Sequence, residues 1–312
     1  MRRNPEELFE LSPAAPDIAA PDISGAPLML YLEGFIDAGN AGRLLAEHLL
    51  RAFPHETIAR FDVDRLIDYR SRRPLMTYDN NRWESYDPPE LALHLLRDAA
   101  ERPFLLLTGP EPDHEWDLFT EAVLAIAARL EAGPAISFLG IPAGMPHTRP
   151  LGVIAHATRE ELMTGFQRLP SRIQVPGSAP ALIELRFGEA DRDALGFAVQ
   201  VPHYLAQAVY PPAALALLGA ITTSTGLDLP DTDLREAAER TDEAIGRQVA
   251  ESAEVGELVR ALEQQYDTAE AAENPVRGLL AEGEAMPTAD ELAAQFERFL
   301  AENQDRTDPP EV

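Results

Sequence analysis

The 312-residue chain contains no cysteine and no lysine; all 26 of its basic residues are arginine. Without cysteine there is no disulfide, no zinc–thiolate or iron–sulfur site and no thiol nucleophile. Without lysine there is no Schiff-base chemistry and no phosphate-loop lysine. An arginine-only basic set has its plainest explanation in a GC-rich genome. No apolar run approaches the roughly 18 residues that a membrane span needs. Residues 1–26 carry no apolar signal-peptide core, so the expectation is a soluble, cytoplasmic protein. Positive charge is scarce. With 53 Asp and Glu against 26 Arg the formal charge is −27, which repels phosphate backbones and anionic lipid and sets aside nucleic acid and membrane as partners.

An apolar content of 45% supplies a sizeable core, and the length fits one large domain with an appendage or two domains. Residues 1–26, with prolines at 5, 13, 16 and 21, read as a loosely ordered lead-in. From Leu28 short apolar runs alternate with helix-spaced segments. Strands are expected at Leu28–Leu32, Thr57–Val63, Phe104–Thr108 and Ala135–Leu139, with helices at Ala41–Phe53, Pro89–Ala100 and Trp116–Leu130. Residues 69–87 read as irregular and polar. Further strands are expected at Leu151–Ala155, Leu182–Phe187 and Ala194–Val201, and an alanine- and leucine-rich helix at Pro211–Ile221. This alternation predicts an α/β fold, with a mostly parallel or mixed central sheet flanked by helices, over residues 27–226.

Residues 227–312 follow a different pattern. From Asp228 onward 23 acidic residues face 7 arginines, and the apolar stripes are narrow. Asp231 or Thr232 caps a stripe through Leu234, Ala238, Ile245 and Val249, a break falls near Gly256, and Val259, Leu262 and Tyr266 follow. That is a helical hairpin. A capping box at Thr288–Glu291 then leads into Leu292, Phe296 and Phe299, a stripe too small to stand alone and therefore one that must dock. The whole is an acidic helical appendage.

In parallel α/β folds ligands bind beyond the carboxyl ends of the strands. Three such loops are rich in glycine, proline and polar residues, and a doubly wound sheet would bring them to one crevice. The first contributes Gly34, Asp37 and Asn40; its glycine spacing is neither a dinucleotide nor a phosphate-loop pattern, and Asp37 or Asn40 serves equally as a helix cap. The second contributes Glu111, Asp113, His114 and Trp116. A carboxylate beside a histidine suits general-base work, yet acids at a helix start are also favoured by the helix dipole. No metal-ligand spacing occurs, so neither metal nor cofactor is expected. In the third loop His147, Thr148 and Arg149 suit binding of a carboxylate or other anion, or a subunit contact. His203 and Tyr204, after the last core strand, are crevice candidates that resemble a polar gate, or else a hydrogen-bonded core pair. Arg70, Arg72, Arg73 and Arg82, with Arg65, crowd one segment of an otherwise acidic chain. Their natural complement is the acidic C-terminal helices, within the subunit or across an interface. No G-x-S-x-G nucleophile elbow is present.

Five segments carry a family likeness: Gly34–Gly42, Asp68–Pro74, Gly109–Asp113 with Trp116, Pro146–Pro150 and Val201–Leu205. In this order they resemble the actinobacterial branch of the proteasome assembly chaperone family, of second-chaperone type, over about Leu28 to Tyr266. The resemblance implies a phosphorylase/hydrolase-like α/β domain, a helical appendage, self-association with a trimer among the options, and proteasome subunits as clients. Chaperones of this type dock through a C-terminal hydrophobic–Tyr–any tripeptide, whereas this sequence ends Pro310-Glu311-Val312. Two functions therefore stand side by side. One is a non-enzymatic assembly chaperone or scaffold, with Leu292, Phe296, Phe299 and the arginine segment as interface candidates. The other is a nucleoside- or phosphate-binding protein or hydrolase-like enzyme that uses the three-loop crevice, with Asp37, Glu111, His147 and Arg149 binding and His147 as acid or base. The balance leans away from an enzyme.

Overall fold

The computed structural model describes residues 4–12, 20–169 and 172–271. Along the first half run β1 (Phe9–Leu11), α1 (Ala20–Ile23), β2 (Leu28–Glu33), α2 (Ala41–Ala52), β3 (His55–Phe61), α3 (Val63–Leu66), β4 (Met76–Asp79), β5 (Arg82–Tyr86), β6 (Ala92–Arg97) and β7 (Pro103–Pro110). The second half adds α4 (Trp116–Arg129), β8 (Ala135–Ala143), β9 (Val153–Ala157), α5 (Ala179–Glu189), β10 (Ala194–Pro202), α6 (Pro211–Thr225), α7 (Thr232–Glu251) and α8 (Ala253–Ala271). Eight strands form one sheet in the order β1-β3-β6-β7-β2-β8-β10-β9, while β4 and β5 make a separate hairpin. The four central strands, β7-β2-β8-β10, are parallel. Both flanks are antiparallel, so the sheet is mixed.

The central strands are apolar on both faces because both faces are covered. Met29 and Tyr31 point into the cluster that holds Leu45 and Leu49 of α2 and Leu217 of α6. Leu28 and Leu30 point the other way, onto Phe119 and Val123 of α4 and Phe187 of α5. Leu234 and Ile245 of α7 and Leu262 of α8 join the α2/α6 cluster, so the helical pair packs on the sheet domain rather than standing off it. A buried carboxylate anchors the crossing point. Asp98, at the β6–β7 turn, accepts hydrogen bonds from the backbone N–H of Ala100, Arg102 and Asp228, and Arg102 adds its guanidinium. Among the described residues no helix is long and apolar enough to cross a membrane.

Several elements differ from the sequence expectation. The segment expected as a helix over Pro89–Ala100 is strand β6. Leu91, Leu93 and Leu95 enter one core cluster and Leu96 the other, so burial on both faces of a strand decides it. Leu182–Phe187, expected as a strand, lies in helix α5. The Ser178 hydroxyl caps it by accepting the Ala181 N–H, and Ala179, Ile183 and Phe187 form a fully buried i, i+4 stripe. Within the lead-in, Pro5–Leu8 form a 3-10 turn and Phe9 pairs with Phe61 across β1 and β3. The break between the last two helices falls at Ser252, with Gly256 inside α8. Residues 69–87 are not irregular throughout: β4 and β5 turn at Asn80 and Asn81, whose φ values of 43° and 67° suit a tight hairpin turn. The expected docking stripe of Leu292, Phe296 and Phe299 lies outside the described residues.

Candidate functional site

The order β7-β2-β8 puts the carboxyl ends of three adjacent parallel strands on one edge, so the three loops singled out from sequence are neighbours. What they form there is two separate arrangements over a half-buried carboxylate.

That carboxylate is Asp37. Its Oδ1 accepts the backbone N–H groups of Gly42 and Gly140, both at 2.9 Å, and its Oδ2 accepts that of Arg43 at 3.0 Å and the Tyr31 hydroxyl at 3.3 Å. One side chain thus satisfies the open first turn of α2 and a backbone donor in the middle of β8. Burial pushes the Asp37 carboxyl above its ordinary range, and the three amide donors oppose that rise. Asn40 holds the N-terminal position of α2 in a left-handed conformation, φ 52°, but makes no side-chain cap and donates to the Ala208 carbonyl instead. The loop lies so close to β8 that a Cβ at Gly140 would sit 2.0 Å from the Ala38 carbonyl oxygen.

The second loop is likewise occupied by structure. Glu111, only 6% exposed, accepts the Ala179 N–H at the start of α5 at 2.6 Å. It reaches there past Gly34, where a Cβ would lie 2.2 Å from its Oε2. Asp113 accepts the Asp68 N–H at 2.8 Å and pairs with Arg72 at 2.7 Å. Arg65 pairs with Glu115 at 2.8 Å and Arg82 with Glu84 at 2.9 Å. Among the described residues the arginine segment meets acids of this loop and of its own strand, and no ion pair joins it to α7 or α8; Arg70 and Arg73 make no ion pair there. Trp116 donates its indole N–H to the Pro112 carbonyl, and the His114 side chain is exposed.

The third loop faces the appendage. Arg149 clasps Asp267 through two bonds of 2.7 and 2.6 Å and reaches Glu263 at 3.3 Å, while the Thr148 hydroxyl donates to Glu263 at 2.6 Å. Within the subunit the carboxylates that face this loop are those of α8. Behind it the Tyr204 hydroxyl accepts the His147 N–H and bonds His147 Nδ1, both at 2.8 Å. Burial lowers the pKa of His147 and of His203, and raises that of the Tyr204 phenol that both rings flank.

An open groove of about 950 Å³ runs beside the first two loops, between α2 and the segment leading into β4. Gly34, Glu111, Arg72 and Arg73 touch it; Asp37, His147, Arg149 and His203 do not. Among the described residues no group of three metal-ligating side chains occurs. A feature not foreseen is the β4–β5 hairpin. Leu75, Met76, Tyr78, Trp83 and Tyr86 are 49–78% exposed, with the Tyr78 and Trp83 rings packed edge-on at 5.0 Å. Its signal was legible: two runs of alternating character around Asn80-Asn81.

No curated protein matches the chain by sequence. Among solved structures it is similar to the Mycobacterium tuberculosis unknown-function protein Rv2714, at 46% identity and TM-score 0.80 over 85% of this chain and 92% of that one. A protein of unknown function from Corynebacterium glutamicum matches at 37% identity and TM-score 0.81, over 85% and 98%. The M. tuberculosis proteasome-assembly chaperone homologue Rv2125 matches at 26% identity and TM-score 0.69, over 75% and 99%. The model of the PAC2 family matches residues 31–249, well over half of the sequence, and the chain belongs to that family.

Proposed function

We propose that the protein is a non-enzymatic assembly chaperone or scaffold that self-associates and acts on proteasome-related clients in the cytoplasm. The observation that carries this reading is the commitment of the candidate catalytic groups to holding the fold. Asp37 accepts four hydrogen bonds, Thr148 and Arg149 clasp α8, and His147 is tied to Tyr204. What remains exposed is an apolar, aromatic surface of the kind that binds protein. Family membership and the likeness to Rv2125 support proteasome subunits as the clients. Helices α7 and α8 then serve as an appendage clipped to the site edge by Arg149.

Affinity purification at low salt from native cytoplasm, with bound proteins identified by mass spectrometry, tests the proposal. Enrichment of proteasome α-subunits or their precursors is expected. A turnover that vanishes on changing a residue of the loop edge would overturn it. The 950 Å³ groove keeps a second reading open, a small-molecule site bearing Glu111, Arg72 and Arg73. Stabilisation of the wild type by a nucleoside or phosphate ligand, lost in Arg73→Ala, would favour that reading.

A further inference from the structure

Beside α2, the groove of about 950 Å³ holds an arginine without a counter-ion. Arg43 lines it half-buried, makes no ion pair among the described residues, and keeps its Nε buried with no hydrogen-bond partner. In a chain of 53 acids and 26 arginines, a guanidinium shielded from water and still unpaired is an anomaly. Leaving such a charge without a partner is costly. The sheet domain uses the Arg43 backbone, whose N–H goes to Asp37, and leaves the guanidinium to a ligand.

A second cation lines the same groove. Arg73 is exposed and likewise makes no ion pair among the described residues, whereas Arg72 is taken up by Asp113 and the Glu33 carbonyl. The rim is apolar: Phe35 and Leu75 are 69% and 78% exposed, and Pro74, Pro88 and Pro89 stiffen it. Neither α7 nor α8 lines this groove, so it stays open while Arg149 clasps α8. Five acids line it too. Glu111 and Glu90 are engaged, by the Ala179 N–H and by Arg60. Glu33, Glu47 and Asp87 are exposed and make no ion pair among the described residues.

Those three acids decide between ligands. A dianionic phosphate would face all of them. A single carboxylate between two arginines, on a chain whose other side chains are apolar or basic, would not be repelled. An open groove with apolar side chains standing out from its rim fits an extended peptide better than a small molecule, whose sites enclose most of the ligand. We infer that this groove seats an extended peptide segment of a partner protein, with one Asp or Glu side chain held between Arg43 and Arg73 and apolar neighbours on Phe35 and Leu75. This rests on the scaffold role proposed above and gives the chemistry of the partner it recognises.

A random heptapeptide library displayed on phage, panned against the full chain, is the probe. Enriched peptides should carry a single Asp or Glu among apolar residues. Their synthetic forms should bind about thirtyfold more weakly to the protein carrying Arg43→Gln and Arg73→Gln. The Asp37 bond to the backbone of residue 43 survives that change, so the melting temperature should not move. Glu33→Gln with Glu47→Gln should tighten the same peptides, and Phe35→Ser with Leu75→Ser, both at exposed positions, should weaken them. No enrichment, enriched peptides without an acid, or equal binding by the double-glutamine protein would overturn the inference. So would displacement by millimolar inorganic phosphate or adenosine monophosphate, which would make the groove a small-anion site. Proteasome subunits captured equally by the wild type and the double-glutamine protein would overturn the groove as their seat and leave the scaffold role standing. Peptides bound by a wild type that captures no protein would overturn the scaffold role alone.

Discussion

Replacing Asp37 by alanine is the perturbation that separates a structural carboxylate from a catalytic one. The substitution leaves three backbone N–H groups, those of Gly42, Arg43 and Gly140, without their acceptor in a part-buried setting. Loss of a first-turn cap costs about 1 kcal/mol, and each buried donor left unpaired costs about 1–3 kcal/mol. Water reaches part of the site, so a total of about 4 kcal/mol is expected, or a fall in melting temperature of about 10 °C for a domain of this size. Asp37→Asn keeps one acceptor oxygen for Gly42 and Gly140 but turns an amide donor toward the Arg43 N–H, and about half that loss is expected. Urea and thermal unfolding followed by circular dichroism give both values. An Asp37→Ala protein with wild-type stability would refute the reasoning and return Asp37 to the list of groups available for chemistry.

Two further outcomes follow from the same geometry. Burial lowers the His94 pKa from 6.5 to about 4, with His55 adding to the effect, so the unfolded chain takes up the proton first as the pH falls. Stability is therefore complete above pH 6.5 and declines by about 3 kcal/mol as the pH drops to 4; His147 and His203, also lowered, act in the same direction, and His94→Gln should remove the largest share of the slope in acid titration of unfolding. Arg149→Ala removes the clasp on Asp267 and Glu263, so hydrogen exchange should accelerate over residues 260–271 while the β2, β7 and β8 amides keep their protection.

The parts of the fold that were legible in the sequence are those whose physics is local. Leu28–Leu32, Phe104–Thr108 and Ala135–Leu139 read as strands because parallel strands covered on both faces become short continuous apolar runs. The same rule failed at β6, where Leu91, Leu95 and Leu96 imitate helical spacing and the deciding fact, burial between β3 and β7, is not local. It failed in reverse at α5, where Ser178 and Pro180 announced a helix start that the apolar run obscured. In the site, Asp37 was readable as a cap. That Thr148 and Arg149 bind carboxylates was also readable, but not which ones, since Glu263 and Asp267 lie 115 and 118 positions downstream. The β4–β5 hairpin is masked in the sequence because its aromatic residues are interleaved with charge, which reads as polar surface until Asn80-Asn81 is taken as a turn.

The measurement closest to the central claim is sedimentation velocity of the purified protein mixed with purified proteasome α-subunits, in parallel with the protein alone. The account predicts a self-associated species alone and a new, faster-sedimenting complex in the mixture that Asp37→Asn, if folded, leaves intact. Two independent boundaries at every concentration, together with tight binding of a small nucleoside or phosphate ligand in the groove at Arg73, would contradict it.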